Sequence, residues 1–137
     1  MLTQDCCLAR QARFRERMAV EKLDAAVITD HRDIYYLTGL LLSAYPAFYF
    51  PALLYLETEG RSWLASHMEG GEAAVDERIS YPPHEGYTMN PDPMRLLNDV
   101  VAKHLQGAKS PVRLGWQRES LPKLLADTLV NALGGNW

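Results

Sequence analysis

The sequence has 137 residues, of which 47% are hydrophobic, and its formal net charge is −3. This length suits one domain with a core of its own, and the hydrophobic share excludes a disordered chain. The negative charge argues against a nucleic-acid-binding protein, and no apolar run approaches the ~20 residues that cross a bilayer. We therefore expect a globular protein that binds neither nucleic acid nor a membrane.

The two cysteines, Cys6 and Cys7, are adjacent in the chain. Neighbouring cysteines rarely bridge each other, and a disulfide framework requires spaced pairs. The first ten residues also lack the apolar core of a secretion signal. We therefore expect reduced cysteines in a cytoplasmic protein.

Residues 8–22 are predicted to form an amphipathic helix. A helical projection groups four apolar residues on one face, with Met18 beside them: Leu8, Ala12, Ala19 and Leu23. Three arginines lie on the opposite face: Arg10, Arg13 and Arg17. Such a basic stripe can bind phosphate, but in a chain with an acidic total it is more often a solvated face.

The stretch DIYYLTG follows an apolar run at residues 24–29, which suits a buried strand. Its residues have strand propensity, yet Asp30 can cap a helix and Gly39 can end one in the left-handed conformation. Caps at both ends outweigh propensity, so we predict a two-turn helix over residues 30–38. We expect Ile34, Leu37 and one tyrosine to pack inward, and the other tyrosine to face a surface or a partner.

The middle of the chain is predicted to form a loop and then strands. Residues 40–50 are rich in large apolar groups, but Pro46 argues against a central strand there. Residues 52–57 and 61–66 form a predicted hairpin around a Glu-Gly turn. A short helix at residues 69–77 is compatible with the sequence, and a further strand is expected at residues 78–81.

The last third is predicted to be helix, strand and helix. Asp92 is the expected cap of the first helix, which Gly107 ends. A strand follows at residues 112–116, and we expect Ser120 to cap a final helix that Pro122 opens. The predicted order gives an α/β fold with a mixed sheet of five to six strands covered by helices.

A search for a self-contained active site finds no glycine-rich phosphate loop, nucleophile elbow, zinc-protease motif or CxxC pair. The four histidines are scattered, so a metal site would require the fold to bring three ligands together: His31, His67, His84 and His104. The loop at residues 115–119 follows a strand end, where α/β proteins often bind ligands, although most such loops only connect.

Four segments together resemble the N-terminal domain of the creatinase/prolidase/aminopeptidase P family. They are RFRERM, LDAAVITDHRDIYYLTGL, ALLYLETEGRSWLAS and VRLGWQRESLPKLLADTL, and the resemblance runs from Arg10 to Leu133. The pattern D-x-x-x-I-Y-Y-L-T-G is its most specific part. The resemblance implies a ribonuclease-H-like creatinase N-terminal fold over residues 1–137, without nuclease activity.

Family enzymes carry a second domain of pita-bread fold, which holds two divalent metal ions (Mn, Zn or Co). The resemblance therefore implies that the catalytic and metal-binding residues lie outside this chain, in a metal-dependent Xaa-Pro peptidase or creatinase-like hydrolase. It also implies a homodimer in which this domain contacts the catalytic domain of the same or the neighbouring subunit and restricts its active site. The alternative is a stand-alone protein-interaction or ligand-binding module that reuses the fold.

Aromatic residues in and after DIYYLTG are the candidates for such contacts. The expected partner- or substrate-facing residues are Tyr35, Tyr36, Tyr45, Phe48 and Tyr49. Tyrosine suits this role because it combines an apolar body with a polar tip. We expect the run at residues 45–50 to form an exposed apolar patch that promotes self-association.

Overall fold

The computed structural model describes residues 2–42, 50–108 and 112–134, apart from the side chain of Glu85. The helices are α1 (Gln4–Val20), α2 (His31–Thr38), α3 (Pro93–His104) and α4 (Lys123–Leu133). The strands are β1 (Ala25–Ile28), β2 (Leu53–Glu57), β3 (Ser62–Ser66), β4 (Glu77–Ser80), β5 (His84–Glu85), β6 (Thr88–Met89) and β7 (Leu114–Trp116). None of these helices is long and apolar enough to cross a membrane.

Five of the strands form one mixed sheet in the order β4-β3-β2-β1-β7. The three central strands pair antiparallel, whereas β4 and β7 add in parallel at the two edges. This confirms the predicted α/β class with a mixed sheet. The strands β5 and β6 form a separate small hairpin around Gly86, whose φ is 62°. This hairpin is not among the predicted elements, although a Gly-X pair between short segments is a known hairpin signal.

Helices cover both faces of the sheet. Because side chains alternate along a strand, Leu53 of β2 contacts the α3 and α4 side while Leu54 contacts the α2 side. On the α1 side, Met18 packs with Ala26 and Leu56. Burial from both faces explains why all four residues of β1 are apolar.

Helix α1 buries a different face from the one predicted. Leu8 is 47% exposed, and Ala12 and Ala19 are also exposed. The buried residues are instead Cys7, Gln11 and Met18. Gln11 is 1% exposed because its Nε2 donates to the carbonyl oxygens of Leu37 at 2.8 Å and Ala74 at 2.6 Å. The expectation failed because it counted apolar residues alone, whereas a polar side chain with tertiary hydrogen bonds is buried on this face.

Residues 69–77 do not form the short helix that the sequence allowed. The guanidinium of Arg78 instead donates hydrogen bonds to the carbonyl oxygens of Met68, Gly70 and Gly71. In a helix these carbonyls would all point along the axis toward the N–H groups four residues on, whereas here they converge on one side chain. This segment is therefore an irregular loop held by Arg78.

The start of α4 also differs from the prediction. Ser120 does not cap the helix; its hydroxyl lies 2.7 Å from the hydroxyl of Thr29 and donates to Gln117. Pro122 occupies the cap position, without a side-chain cap bond, and the helix begins at Lys123. A tertiary hydrogen bond to the end of β1 therefore replaces the local cap.

Candidate functional site

Helix α2 is fixed at both ends as the sequence predicted. The Asp30 carboxylate accepts hydrogen bonds from the backbone N–H groups of Arg32 and Asp33. The hydrogen bond from the Arg32 side chain is the main reason that the pKa of Asp30 lies below its ordinary value. At the other end Gly39 has a φ of 78°, and its N–H donates to the carbonyl of Tyr35 at 2.8 Å.

The loop after β7 supports the start of α2. Strands β1 and β7 are parallel, so their carboxyl ends lie side by side. The side-chain oxygen of Gln117 accepts from the backbone N–H groups of Thr29 at 2.8 Å and Asp30 at 2.9 Å, and its amide donates to Asp33. The position of this loop after a strand end indicates a possible ligand site, but here Gln117 joins two elements of the fold.

The two tyrosines of α2 differ in exposure. Ile34 and Leu37 are buried, as predicted. Tyr36 is 49% exposed, whereas Tyr35 is half-buried. The guanidinium of Arg10 lies 4.1 Å from the centre of the Tyr36 ring, and its Nη1 donates to the Tyr36 carbonyl at 3.1 Å. Tyr36 is therefore an oriented surface aromatic.

The aromatic run after α2 is described only at its end. Tyr45, Phe48 and Tyr49 belong to residues 43–49, which lie outside the described residues. Phe50 is 9% exposed and stacks on His67, with ring centroids 4.4 Å apart. The expectation that Phe50 belongs to an exposed patch is therefore wrong, because this ring packs into the fold.

An open groove of about 480 Å³ lies between α1 and α2, beside Tyr36. We name it the arginine groove, and its principal residues are Arg10, Arg13, Arg17, Phe14, Tyr36 and Gln117. The buried side chains of Ile28 and Leu37 also line it, so its base is apolar. The groove combines basic and apolar surfaces at the carboxyl end of β1.

A larger cavity of about 810 Å³ lies at the other end of the sheet. In its wall Tyr55 stacks nearly parallel on Trp63, and His104 packs edge-on against the same indole. His104 Nε2 lies 3.7 Å from a carboxylate oxygen of Glu77. Burial raises the pKa of Tyr55 to about 12, so this phenol stays neutral. The buried aromatic rings indicate a packing role for this wall.

Two further histidines flank Phe50. His67 stacks on its ring, and His31 interacts with its backbone. Burial lowers the pKa of both imidazoles, which favours their neutral forms. Within the described ranges, no group of three His, Cys, Asp or Glu side chains is placed to hold a metal ion.

These observations define the class of protein, a mixed five-stranded α/β domain with helices on both faces. The chain belongs to the creatinase/prolidase N-terminal domain family, whose model matches residues 10–136. No curated protein gave a significant match.

Solved structures share this fold. The N-terminal domain of an X-Pro dipeptidase from Streptococcus pyogenes is 12% identical with a TM-score of 0.64, and the match covers 93% of this chain and 89% of that one. A dipeptidase from Mycobacterium ulcerans is 20% identical with a TM-score of 0.59, covering 97% of this chain and 34% of that one. A prolidase from Pyrococcus horikoshii is 18% identical with a TM-score of 0.57, covering 91% and 30%. The chain therefore spans about a third of these two longer proteins.

Proposed function

We propose that the chain serves as the non-catalytic N-terminal domain of a metal-dependent Xaa-Pro peptidase or creatinase-like hydrolase. The observation that carries this proposal is the family match over residues 10–136. The likeness to part of a dipeptidase chain and part of a prolidase chain supports it. In this proposal the two divalent metal ions belong to a catalytic domain, and this chain supplies contacts.

The contacts would centre on α2 and the residues after it. Tyr36 is exposed on a helix that Asp30 and Gly39 hold at its two ends. A rigid aromatic with a polar tip is well suited to an interface, because it loses little entropy on binding. We propose that Tyr35, Tyr36, Tyr45, Phe48 and Tyr49 face a partner subunit or a substrate. The assembly would be a cytoplasmic homodimer in which these residues restrict access to the active site.

The reading frame that contains this chain provides the test. We expect it to continue beyond Trp137 into a domain with two Asp, one His and two Glu metal ligands. Its full product should hydrolyse Xaa-Pro dipeptides when Mn²⁺ is supplied, and the 137-residue chain alone should not. Hydrolysis by the chain alone would contradict the proposal, and so would a frame that ends at Trp137.

A stand-alone interaction module is the second candidate. The arginine groove favours it, because this groove offers a binding surface within the described part of the chain itself. A reading frame that ends at Trp137, together with a specific ligand for the groove, would support this alternative over the peptidase.

A further inference from the structure

The three arginines of the arginine groove lie along one side of α1. Arg10, Arg13 and Arg17 follow the i, i+3, i+7 spacing that brings side chains to one helix face. Successive arginines are separated by about 4.5 Å and about 6 Å along the helix axis. The chain as a whole has a charge of −3, so this groove differs in sign from the molecule around it.

Little negative charge within the fold offsets these arginines. Arg17 forms an exposed i, i+4 ion pair with Glu21 at 2.9 Å. Arg10 is held over the Tyr36 ring, and Arg13 forms no ion pair or hydrogen bond with any described residue. Asp33 also lines the groove, but its single negative charge is outnumbered by the three arginines. The groove therefore has an excess of positive charge.

The base of the groove is apolar. Ile28 is 6% exposed and Leu37 is 5% exposed, and Phe14 lies partly exposed beside them. A simple anion would satisfy the arginines and leave the exposed apolar surface of Phe14 and Tyr36 in contact with water. A ligand that covers both surfaces must carry negative groups and apolar groups together.

We propose that the arginine groove binds an acidic peptide segment of a partner protein in which carboxylate and apolar side chains alternate. In an extended segment, alternate side chains share a face and are about 6.7 Å apart. The carboxylates can therefore face the flexible arginine side chains of α1, while the apolar side chains between them face α2. The planar guanidinium groups pair with the carboxylates, and Arg10 is already oriented by Tyr36. The apolar side chains on the opposite face of the peptide then contact the α2 wall of the groove, chiefly the exposed ring of Tyr36. Peptide binding by the groove does not require that the chain be part of a peptidase.

The test is an NMR titration of the ¹⁵N-labelled 137-residue chain at low salt with the synthetic peptide Ac-Glu-Leu-Glu-Leu-Glu-Leu-NH₂. We expect the amide signals of Ile28, Tyr36, Leu37 and Gln117 to shift, with binding that weakens as salt rises. A peptide with glutamine in place of glutamate, and one with serine in place of leucine, should each bind at least fivefold more weakly.

Two matched variants separate the groove from general charge. Arg13→Gln removes an arginine that has no described partner in the fold, so the fold should remain intact; it should weaken peptide binding about fivefold. Arg95→Gln makes the same charge change at an exposed position of α3 and should alter affinity less than twofold. Equal effects of the two substitutions would contradict the proposal.

Tighter binding of a different class of ligand would also contradict the proposal. Inorganic phosphate or a single-stranded oligonucleotide that occupies the groove more tightly than the peptide would show a different ligand class. The proposal would also be overturned if the signals shifted only on other surfaces. It would fail as well if no signal shifted at roughly 1 mM peptide, a concentration at which even weak specific binding is visible. A failed search for peptidase activity would leave all these readouts unaffected.

Discussion

Gln117 accepts a hydrogen bond from the backbone N–H of Asp30 at 2.9 Å, and this bond joins the loop after β7 to the cap of α2. The same side-chain oxygen accepts from the N–H of Thr29. The orientation of α2 therefore depends on a residue far away in the sequence. Helix α2 carries Tyr36, so this bond also determines where the exposed aromatic lies.

Replacing Gln117 with alanine should destabilise the fold. The substitution leaves the N–H groups of Thr29 and Asp30 without their acceptor, at a cost of about 2 kcal/mol. Urea unfolding of the variant and the parent chain measures the difference. Arg118→Ala, at the exposed neighbouring position, should change the free energy of unfolding by less than about 0.5 kcal/mol. Equal losses in the two variants would show that the hydrogen bonds of Gln117 contribute little.

Replacing Gln11 with leucine should also destabilise the chain, although it places an apolar residue on a buried face. The carbonyls of Leu37 and Ala74 would lose their common donor, and we expect a loss of about 2 kcal/mol. Thermal or urea unfolding provides the measurement. Gln4→Leu, on the exposed first turn, is the control and should be nearly neutral. A Gln11→Leu variant as stable as the parent would mean that burial of leucine offsets the lost bonds.

Replacing Gly39 with alanine should cost about 1 kcal/mol, because its φ of 78° is unfavourable for a residue with a Cβ. The added Cβ would also lie 3.4 Å from the sulfur of Cys7. Gly70→Ala is the matched control, since no atom lies within 4 Å of its added Cβ and its φ is not positive. It should be neutral or slightly stabilising in the same unfolding assay. The reverse order of stabilities would contradict the assigned helix end.

Stability should fall between pH 7.5 and pH 5.5. Burial lowers the pKa values of His31 and His67 in the folded state, so the unfolded chain binds more protons in this range. The stabilisation is complete above the unfolded value of about 6.5 and is lost as the pH drops below it. For His31 the negative charge of Asp30 partly offsets the lowering of the pKa by burial. For His67 the neighbouring His31 and His84 add to that lowering.

Urea unfolding across this range measures the slope. His67→Phe keeps a ring against Phe50 and should reduce the pH dependence. His84→Gln, at an exposed position, should retain most of it. The low pKa of Asp30 acts in a separate window, below its unfolded value near 3.9. Identical stability at pH 7.5 and 5.5 would show that neither half-buried histidine is linked to folding.

The chain should self-associate at high concentration. Under the proposed function this domain contacts a partner through an apolar surface, and we expect Tyr45, Phe48 and Tyr49 to leave that surface exposed when the partner is absent. Sedimentation velocity should show a concentration-dependent dimer that the Phe48→Ser variant weakens. The control Leu124→Ser changes an apolar residue that is 46% exposed on α4, and it should leave the dimer intact. A monomer at all concentrations would count against this expectation.

The sequence predicted those helix ends that are fixed by a residue at the end itself. Asp30, Gly39 and Asp92 act at their helix ends through their own side chains or backbone angles, so these ends were predictable. Ser120 resembles such a cap, but a long-range bond to Thr29 takes its hydroxyl. Nothing local in the sequence distinguishes the two cases.

The candidate site was only partly predictable for the same reason. The sequence identified the tyrosines and the basic stripe of α1, but it placed neither relative to the other. The contact between them depends on Gln11, whose buried side chain hydrogen-bonds to the end of α2 and so joins α1 to it. Hydrophobic periodicity does not reveal this hydrogen bond. The resulting contact between Arg10 and Tyr36 is therefore a tertiary feature.

The interaction role is tested most directly by hydrogen exchange. The measurement compares the 137-residue chain with the full product of its reading frame. If this domain contacts a catalytic domain or a second subunit through α2 and the residues after it, amides at residues 35–50 should exchange more slowly in the full product. Amides of α4, which packs on the opposite face of the sheet, should exchange equally in both. Equal exchange at residues 35–50 in the two proteins would contradict the proposed interface.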